Sequence, residues 1–341
     1  MNRLLKIIYY QIGTILRRGP RFFFMLLCKE VQRRMPYYKT HEVKKCLGAK
    51  MPDKTFYVIG FDEGWTGLFG IVKHQLMHII YAVERGYIPI IDLQHYYSQY
   101  LTFNELFKEN AWEYFFEQPT KYGLNDIRSA KNIIKSVQNA FPPAQQWNIH
   151  CSNVSDNPQS FLYAKEIFSK YIRLNTKTKN FVTKKQQELL ENKGRILGVL
   201  CRGTDYTQLK PKGHSIQPAP EEVISKAEEV MAQYHCESLY MATEDADIYD
   251  LFVAHFGDKL IFNAVPKWRG ADLPKGKSNS KRLSYNDKQG KIQGGVTYLS
   301  QIYLLSQCTC FIGGSTYGSL GVLLMSNSFD YVHIFNKGFY S

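Results

Sequence analysis

The sequence predicts an α/β protein of two facing Rossmann-like domains, each built on a parallel β-sheet. Its 341 residues are too many for one ordinary core and fit two domains of about 150 residues each. In both halves, short apolar runs typical of buried strands alternate with helical patterns and end in polar or glycine-rich turns. With 44% hydrophobic residues the chain can bury sizeable cores, which excludes global disorder.

Composition divides the chain into a basic amphipathic arm over residues 1–50, a first domain over 51–185 and a second domain over 186–341. The net charge of +13 comes from two segments, because residues 3–34 carry +7 and residues 263–291 carry +6. Charge concentrated in this way predicts anionic partners, such as phosphates, acidic lipid headgroups or nucleic acid.

The arm contains two apolar runs, 7–16 and 22–28, separated by Arg17-Arg18-Gly19-Pro20-Arg21. Neither reaches the roughly 18–20 residues that a membrane-spanning helix needs, and no small-residue cleavage site follows the first run. Apolar residues among many Lys and Arg are typical of a helix on an anionic membrane. We therefore expect residues 1–45 to contact the inner, cytoplasmic face of a membrane; helices packed on the body of the protein are the alternative.

Seven cysteines are scattered along the chain, and three lie in apolar, strand-like runs. This distribution predicts reduced thiols in a cytosolic protein. Cys308 and Cys310 lack a second pair of ligands at the spacing of a zinc site, so the sequence predicts no metal centre.

The first domain begins with a nucleotide-fold unit. Residues 55–60 predict a buried strand, 72–83 carry the apolar spacing of a helix, and 88–93 predict the next strand. Between the first strand and the helix lies a glycine-rich loop that includes Gly67. Such a loop brings backbone close to a ligand and offers helix N–H groups to an anion, although a tight turn alone is the alternative.

The later elements follow the same alternation. Residues 96–147 are aromatic and helical in character. Further helices are predicted over 159–173, 176–191, 221–234, 246–256, 296–307 and 319–325, and strands over 196–201, 238–242, 259–262 and 309–313. The basic segment 263–291 predicts either a lid that attracts anionic substrates or a solvated insertion.

Polar residues follow three strands of the second domain, at the edge where open α/β sheets bind ligands. Arg202 follows the first strand, and its planar guanidinium suits a phosphate; a surface ion pair is the alternative. After the second strand, Glu244 and Asp245 either contact a ribose or guanine or cap the next helix. The turn beginning at Ser315 opens a helix and suits phosphate.

Several of these blocks resemble motifs of the GT-B fucosyltransferases of the α1,6, α1,2 and protein O-fucosyl type, which use GDP-fucose. The matching blocks are Gly67-Leu68 with the helix as far as Ile91-Asp92, the arginine motif at Arg202-Gly203-Thr204-Asp205, the strand end Met241-Ala242-Thr243-Glu244-Asp245, and the serine-rich turn over 305–316. Two motif positions differ, because Leu200 replaces a histidine and Gly203 replaces a second arginine. Tyr206 is closer to the α1,2 pattern.

The resemblance implies a GT-B-like fold, with the acceptor in the first domain and the GDP-sugar in the second. It implies inverting transfer of fucose from GDP-fucose to a glycan hydroxyl without a metal or other cofactor. Arg202 would stabilise the leaving diphosphate, Asp205 would orient Arg202 or the loop, and Thr243 with Asp245 would hold the nucleoside. The other expected donor contacts are Gly67, Thr204, Glu244, Ser315, Thr316, Tyr317 and Gly318.

The general base does not carry over from the family pattern, so Asp62, Glu63 and His214 are all candidates. A basic arm fits an acceptor tethered to the membrane, such as a lipid-linked oligosaccharide of surface polysaccharide synthesis. Two alternatives are a non-catalytic glycan- or nucleotide-binding protein and a nucleic-acid-binding protein. The second is disfavoured because few aromatic residues lie among the Lys and Arg of 263–291, whereas stacking on bases requires them.

Overall fold

Two β-sheets, formed one after the other along the chain, organise the protein in a computed structural model. The structure describes residues 3–35, 41–62, 66–137, 142, 149–151, 154, 156–203, 207, 209–269 and 287–341. Within these ranges the helices are α1 (Arg3–Arg34), α2 (Leu68–Glu84), α3 (Pro158–Tyr171), α4 (Thr176–Leu190), α5 (Pro220–Gln233), α6 (Ala246–Phe256), α7 (Lys288–Ser306) and α8 (Tyr317–Met325).

The first sheet has four strands in the order β1-β4-β2-β3: β1 (Val43–Lys45), β2 (Lys50–Gly60), β3 (Ile88–Asp92) and β4 (Ala130–Lys135). The central strand β2 is parallel to both of its neighbours, and only the edge strand β1 is antiparallel. Helix α2 connects β2 to β3, as the strand–loop–helix–strand pattern predicts. The last residues of β2, from Phe56 to Gly60, are buried, which explains their continuous apolar run.

The second sheet has five parallel strands in the order β7-β6-β5-β8-β9: β5 (Ile196–Leu200), β6 (Ser238–Ala242), β7 (Leu260–Phe262), β8 (Cys310–Gly314) and β9 (Tyr331–Phe335). The chain runs outward from β5 to β7 and returns to β8 on the other side of β5. This is the doubly wound order of a Rossmann-like domain. The predicted α/β fold of two domains with parallel sheets is therefore confirmed.

The helical interpretation of residues 96–147 is wrong for the part that the structure describes, 96–137. That part contains β4 and two short 3₁₀ turns, Ala111–Tyr114 and Asp126–Ser129, and no α-helix. Its side chains serve the edge of β3 instead, because Asn110 Nδ2 and Gln118 Nε2 both donate to the carbonyl of Ile91, at 2.7 and 3.0 Å. Aromatic residues of the segment, such as Trp112 and Phe116, are buried against the sheet and stack on each other.

Helix α7 begins eight residues earlier than predicted, so the end of the basic segment is helical. Asp287 caps the helix by accepting from the N–H of Gly290 at 2.8 Å. Lys288 and Lys291 of its first turn reach the first domain, at Glu109 and at the carbonyl of Gln99. The proposed lid falls mainly on residues 270–286, which lie outside the described residues.

The arm forms α1, whose backbone leaves the helical conformation at Gln11 and at Gly19. The sharp bend is at Gly19-Pro20, where Gly19 has φ of +76° and proline interrupts the hydrogen-bond ladder. Phe22 and Leu26 are fully buried against the first domain, and Arg18 donates to the carbonyl oxygens of Phe103 and Leu106. One side of α1 therefore packs on the body of the protein. Nowhere in the described chain does a helix have both the length and the apolar character needed to cross a bilayer.

The two sheets share one large apolar cluster, which runs from Tyr57 and Ile79 of the first domain to Tyr240 and Phe311 of the second. At the centre of the contact, the ring of Phe69 on α2 packs on Gly321 of α8. A Cβ atom at Gly321 would lie 2.3 Å from Phe69 Cδ1, so only glycine allows this approach. The starts of α2 and α8 are thereby brought together between the sheets.

Candidate functional site

The order of strands in the second sheet marks a ligand-binding position. The chain order reverses between β5 and β8, and in open α/β sheets ligands bind beyond the carboxyl ends of the strands at this point. Arg202 lies two residues after β5, and Ser315 directly follows β8. The two sequence blocks predicted to bind phosphate therefore flank the same crevice.

Arg202 is held by an acidic residue from the neighbouring strand end. Its Nε donates to Glu244 Oε1 at 3.0 Å, and the N–H of Gly203 donates to the same oxygen at 3.2 Å. Both side chains are partly buried, at 21% and 18% exposure, which favours a fixed geometry over a mobile surface pair. Of the four-residue arginine motif, Thr204 and Asp205 lie outside the described residues, so the orienting role expected for Asp205 stays a prediction.

Asp245 has a structural task at the start of α6. Its carboxylate accepts hydrogen bonds from the N–H groups of Asp247 and Ile248, at 2.9 and 3.2 Å, as an N-cap. Thr243 is also buried, and its hydroxyl accepts from the N–H of Asp245 at 3.1 Å. The capping alternative therefore holds for Asp245, and the nucleoside contacts expected of Thr243 and Asp245 stay predictions.

Gly203 is required by the close approach of Asp245. A Cβ atom at position 203 would lie 2.3 Å from Asp245 Oδ2 and 2.7 Å from Ile248 Cδ1. Any longer side chain would displace the helix cap. This packing explains in physical terms why the second arginine of the resembled motif has no counterpart at this position.

The turn after β8 is built as a helix start. Thr316 caps α8 by accepting from the N–H of Ser319 at 3.1 Å, and the Ser319 hydroxyl donates to the carbonyl of Gly314. Ser315 and Thr316 are buried, whereas Tyr317 is 44% exposed. The first N–H groups of a helix have no partners within the helix, so this turn suits an anion.

The first domain contributes the start of α2. Gly67 is the N-cap residue of α2, and a Cβ atom there would meet nothing within 4 Å, so crowding does not require glycine at this position. Gly70 is crowded, since its Cβ would lie 2.6 Å from Thr66 Cγ2 and 3.3 Å from Tyr317 Cδ2. The helix starts of both domains therefore converge on Tyr317.

Three residues that the sequence analysis did not single out lie at this convergence. Lys73 is 6% exposed, and its Nζ lies 5.2 Å from the centre of the Tyr317 ring. The His150 ring is 6.3 Å from the same ring. The thiol of Cys151 donates to the carbonyl of Thr316 at 3.3 Å and lies 3.5 Å from the hydroxyl of Ser315.

The charges of this cluster affect each other. Burial lowers the pKa of Lys73 below its ordinary value. Burial and, secondarily, the ammonium of Lys73 lower the pKa of His150. The one sequence signal for Lys73 is a lysine within the otherwise apolar and histidine-bearing run that becomes α2.

Of the three candidate bases, the structure describes Asp62 and His214. Asp62 is 6% exposed, and its carboxylate is 3.9 Å from Arg33 Nε of α1, which leaves little of it open to an acceptor. Glu63 lies outside the described residues. His214 is exposed in a loop that pairs with the C-terminal segment, where its carbonyl accepts from the N–H of Tyr340.

Among the described residues, no three His, Cys, Asp or Glu side chains lie close enough together to hold a metal ion. All seven cysteines are free thiols, and only Cys28 and Cys46 are exposed. Cys308 and Cys310 are buried in the core, where burial raises the pKa of both thiols.

No protein-family model matches the sequence, and a comparison with curated proteins finds no match. In structure the chain is similar to solved fucosyltransferases. NodZ from Bradyrhizobium shares 16% identity at a TM-score of 0.47, covering 80% of this chain and 94% of NodZ. POFUT1 in complex with GDP shares 8% identity at a TM-score of 0.46, covering 83% and 99%. A mutant of Arabidopsis thaliana FUT1 in complex with GDP shares 10% identity at a TM-score of 0.45, covering 84% and 71%.

Proposed function

We propose that this protein transfers fucose from GDP-fucose to a glycan hydroxyl, with inversion at the sugar carbon and without a metal ion. The observation that carries the proposal is the position of Arg202 at the crevice between β5 and β8, beside the buried start of α8. The choice of GDP-fucose as donor follows from the resemblance of the sequence blocks to the fucosyltransferases.

The central task of such an enzyme is to stabilise the leaving group. As the bond between the sugar and the diphosphate breaks, negative charge builds up on the β-phosphate, and without a metal it must be stabilised by preorganised donors. Arginine carries five N–H donors, so Glu244 can hold its Nε edge while the other edge contacts a phosphate. The helix start at α8 supplies backbone donors and a favourable dipole.

In the proposed single displacement, the acceptor oxygen forms a bond to the anomeric carbon as the bond to the phosphate oxygen breaks. The acceptor proton passes to a general base, for which Asp62, Glu63 and His214 remain the candidates. The sugar must therefore lie between the phosphate-binding turn of the second domain and an acceptor held by the first.

A screen of nucleotides by thermal unfolding tests the donor. A ligand that binds only the folded state raises the apparent midpoint by mass action. GDP and GDP-fucose are expected to raise the midpoint, whereas UDP and CDP at the same concentration leave it unchanged. Release of GDP from GDP-fucose in the presence of a glycan acceptor then tests the reaction. The proposal is refuted if no GDP compound binds.

A second candidate function is favoured by the missing arginine at Gly203. A protein that binds the nucleotide or a glycan without turning it over would need less positive charge at the leaving group. Binding of GDP without hydrolysis of GDP-fucose, and without transfer to any glycan tested, would establish this alternative.

We further propose that α1 attaches the protein to an anionic membrane surface, where it would meet a lipid-linked acceptor. Several apolar residues of α1 are each more than half exposed. Before the bend they recur every three or four positions, at Leu5, Tyr9, Ile12 and Leu16, and after it Phe24 and Val31 lie seven positions apart. Arg17, Arg21 and Arg34 are exposed on the same helix. An exposed apolar stripe flanked by arginines suits the boundary between lipid headgroups and acyl chains.

Sedimentation with lipid vesicles tests the attachment. Binding is expected to vesicles that contain phosphatidylglycerol and to be weak with phosphatidylcholine alone. The variant Tyr9→Ser/Leu16→Ser should lose binding, because it changes exposed positions and leaves buried Phe22 and Leu26 in place. The matched control Leu162→Ser changes a residue of α3 that is 63% exposed, and it should bind like the wild type. Equal binding by all three proteins would contradict the assignment to α1.

A further inference from the structure

The second domain offers less positive charge to a diphosphate than the motif it resembles. The place of the second arginine is taken by Gly203, and Asp245 and Ile248 fill the space that a side chain there would need. The place of the histidine is taken by Leu200, which is buried in the core. Within the described part of this motif, Arg202 is therefore the one cationic side chain.

A lysine of the first domain lies at the phosphate-binding turn. Lys73 stands on the second turn of α2, and its Nζ is 5.2 Å from the centre of the ring of Tyr317, the first residue of α8. Only 6% of the surface of Lys73 is exposed. Its positive charge is therefore shielded from bulk water at the contact between the domains, where its attraction for an anion is stronger than at the surface.

The neighbours of Lys73 link it to the turn itself. Cys151 lies close enough for its sulfur to affect the ammonium electrostatically, and the same sulfur contacts Ser315 and Thr316. The crowding of Gly70 against Tyr317 shows that α2 and α8 touch at this point. The positive charge of Lys73 is therefore placed beside a helix start that itself favours anions.

We infer that Lys73 binds the β-phosphate of the donor from the side of the first domain, opposite Arg202. This inference rests on the proposed function. The nucleoside is expected on the second domain, and the sugar must face the acceptor on the first domain. Because the β-phosphate carries the sugar, it is the phosphate nearest the first domain, whereas the α-phosphate lies nearer the nucleoside.

Calorimetry with GDP and GMP separates this role from a general effect on folding. The variants are Lys73→Met, Lys73→Gln and Arg202→Ala, each compared with the wild type. Lys165→Met is the matched control, because Lys165 of α3 is also a partly buried lysine that contacts α8, but it does so at the opposite end of that helix, where it donates to Ser326 Oγ at 3.1 Å. Thermal unfolding of each variant without ligand reports whether the fold is intact.

Loss of Lys73 is expected to weaken GDP binding by about tenfold or more, as losing one charge-assisted hydrogen bond does, and to change GMP binding less than about twofold. Both substitutions at position 73 should give this result with an unfolding midpoint no lower than that of the wild type. Lys165→Met should bind both nucleotides like the wild type.

The inference is overturned if both variants at position 73 bind GDP like the wild type while Arg202→Ala has lost GDP binding; the proposed function then stands. It is also overturned if GDP and GMP binding weaken equally, since the lysine would then act on the fold and not on the β-phosphate. If the wild type binds no GDP, the proposed function fails and the inference fails with it.

Discussion

Arg202 Nε and Glu244 Oε1 lie 3.0 Å apart across the ends of two neighbouring parallel strands. Leu200 pairs with Ala242 in the register of β5 and β6, so the residues two positions further on lie side by side. The register of the two strands therefore brings Arg202 and Glu244 together, and their ion pair does not depend on the conformation of a long loop. This geometry holds the guanidinium at the crevice in advance, which is what stabilisation of a leaving group requires.

Replacing Arg202 by alanine is expected to lower the turnover of GDP-fucose by roughly 10²–10³-fold, by analogy with loss of one donor to a developing oxyanion. Steady-state release of GDP measures the effect. Arg195→Ala is the matched control, because Arg195 lies just before the same strand, at its other end, and pairs with Asp330. Near-normal turnover by a folded Arg202→Ala protein would rule out the assigned role.

Glu244→Gln should lower turnover less than Arg202→Ala, by about tenfold, because the amide keeps the shape but weakens a charge-assisted bond to the guanidinium. In the double variant the two losses should not add, since Glu244 acts through Arg202. A double-mutant cycle on turnover tests this coupling. Additive losses would show that Glu244 contacts the donor independently of Arg202.

Gly203→Ala is expected to destabilise the fold by about 1–3 kcal/mol, as overpacking does, because the new methyl group meets Asp245 Oδ2 at 2.3 Å. Denaturant unfolding measures the change. Asp245→Ala alone should cost about 1 kcal/mol as a lost helix cap. The double variant should lose less stability than the sum of the two single losses, because shortening residue 245 removes the atom that the new methyl group would meet first. Full additivity would show that the crowding lies elsewhere, for instance at Ile248.

Lys29→Met should raise the free energy of unfolding at pH 7 by an amount on the order of 2 kcal/mol. Lys29 of α1 is partly buried over the Tyr96 ring, and desolvation lowers its pKa from 10.5 to about 8, although Asp92 and Asp62 oppose this shift. Lys135 and Lys45 add to the lowering.

The cost of charging Lys29 is fully present below pH 8, where the residue is protonated in both the folded and the unfolded chain. It disappears as the pH rises from 8 to 10.5, since the unfolded chain then binds more protons than the folded one. The advantage of Lys29→Met should shrink over that range, and the exposed-site control Lys44→Met should show no such trend. A pH-independent advantage would contradict the electrostatic explanation.

The pKa of His150 should rise when Lys73 is replaced by methionine, because the nearby ammonium helps to lower it in the wild type. Proton NMR of the imidazole across pH 5 to 8 measures the titration. Lys165→Met should leave it unchanged. Since the folded pKa lies below 6.5, the unfolded chain takes up the proton first, and this residue makes the fold less stable as the pH falls below 6.5.

Four of the five strands of the second domain, β5 to β8, could be predicted within one or two residues of their bounds. Parallel strands covered on both sides are continuous apolar runs, and β5, β6 and β8 have this character. The edge strands β1 and β9 were missed because partly exposed strands mix polar with apolar residues. The segment before β4 was misjudged because its aromatic residues fill the space beside β3 without forming an α-helix.

The sequence by itself determined which strand ends carry charged and hydroxyl side chains, because strand character and turn chemistry are local properties that a few neighbouring residues settle. Only the tertiary structure decided that Glu244 holds Arg202, that Asp245 leaves no space at Gly203, and that Lys73 reaches the start of α8. These contacts join residues distant in sequence, and they depend on the register of strands and on which face of α2 meets the second domain.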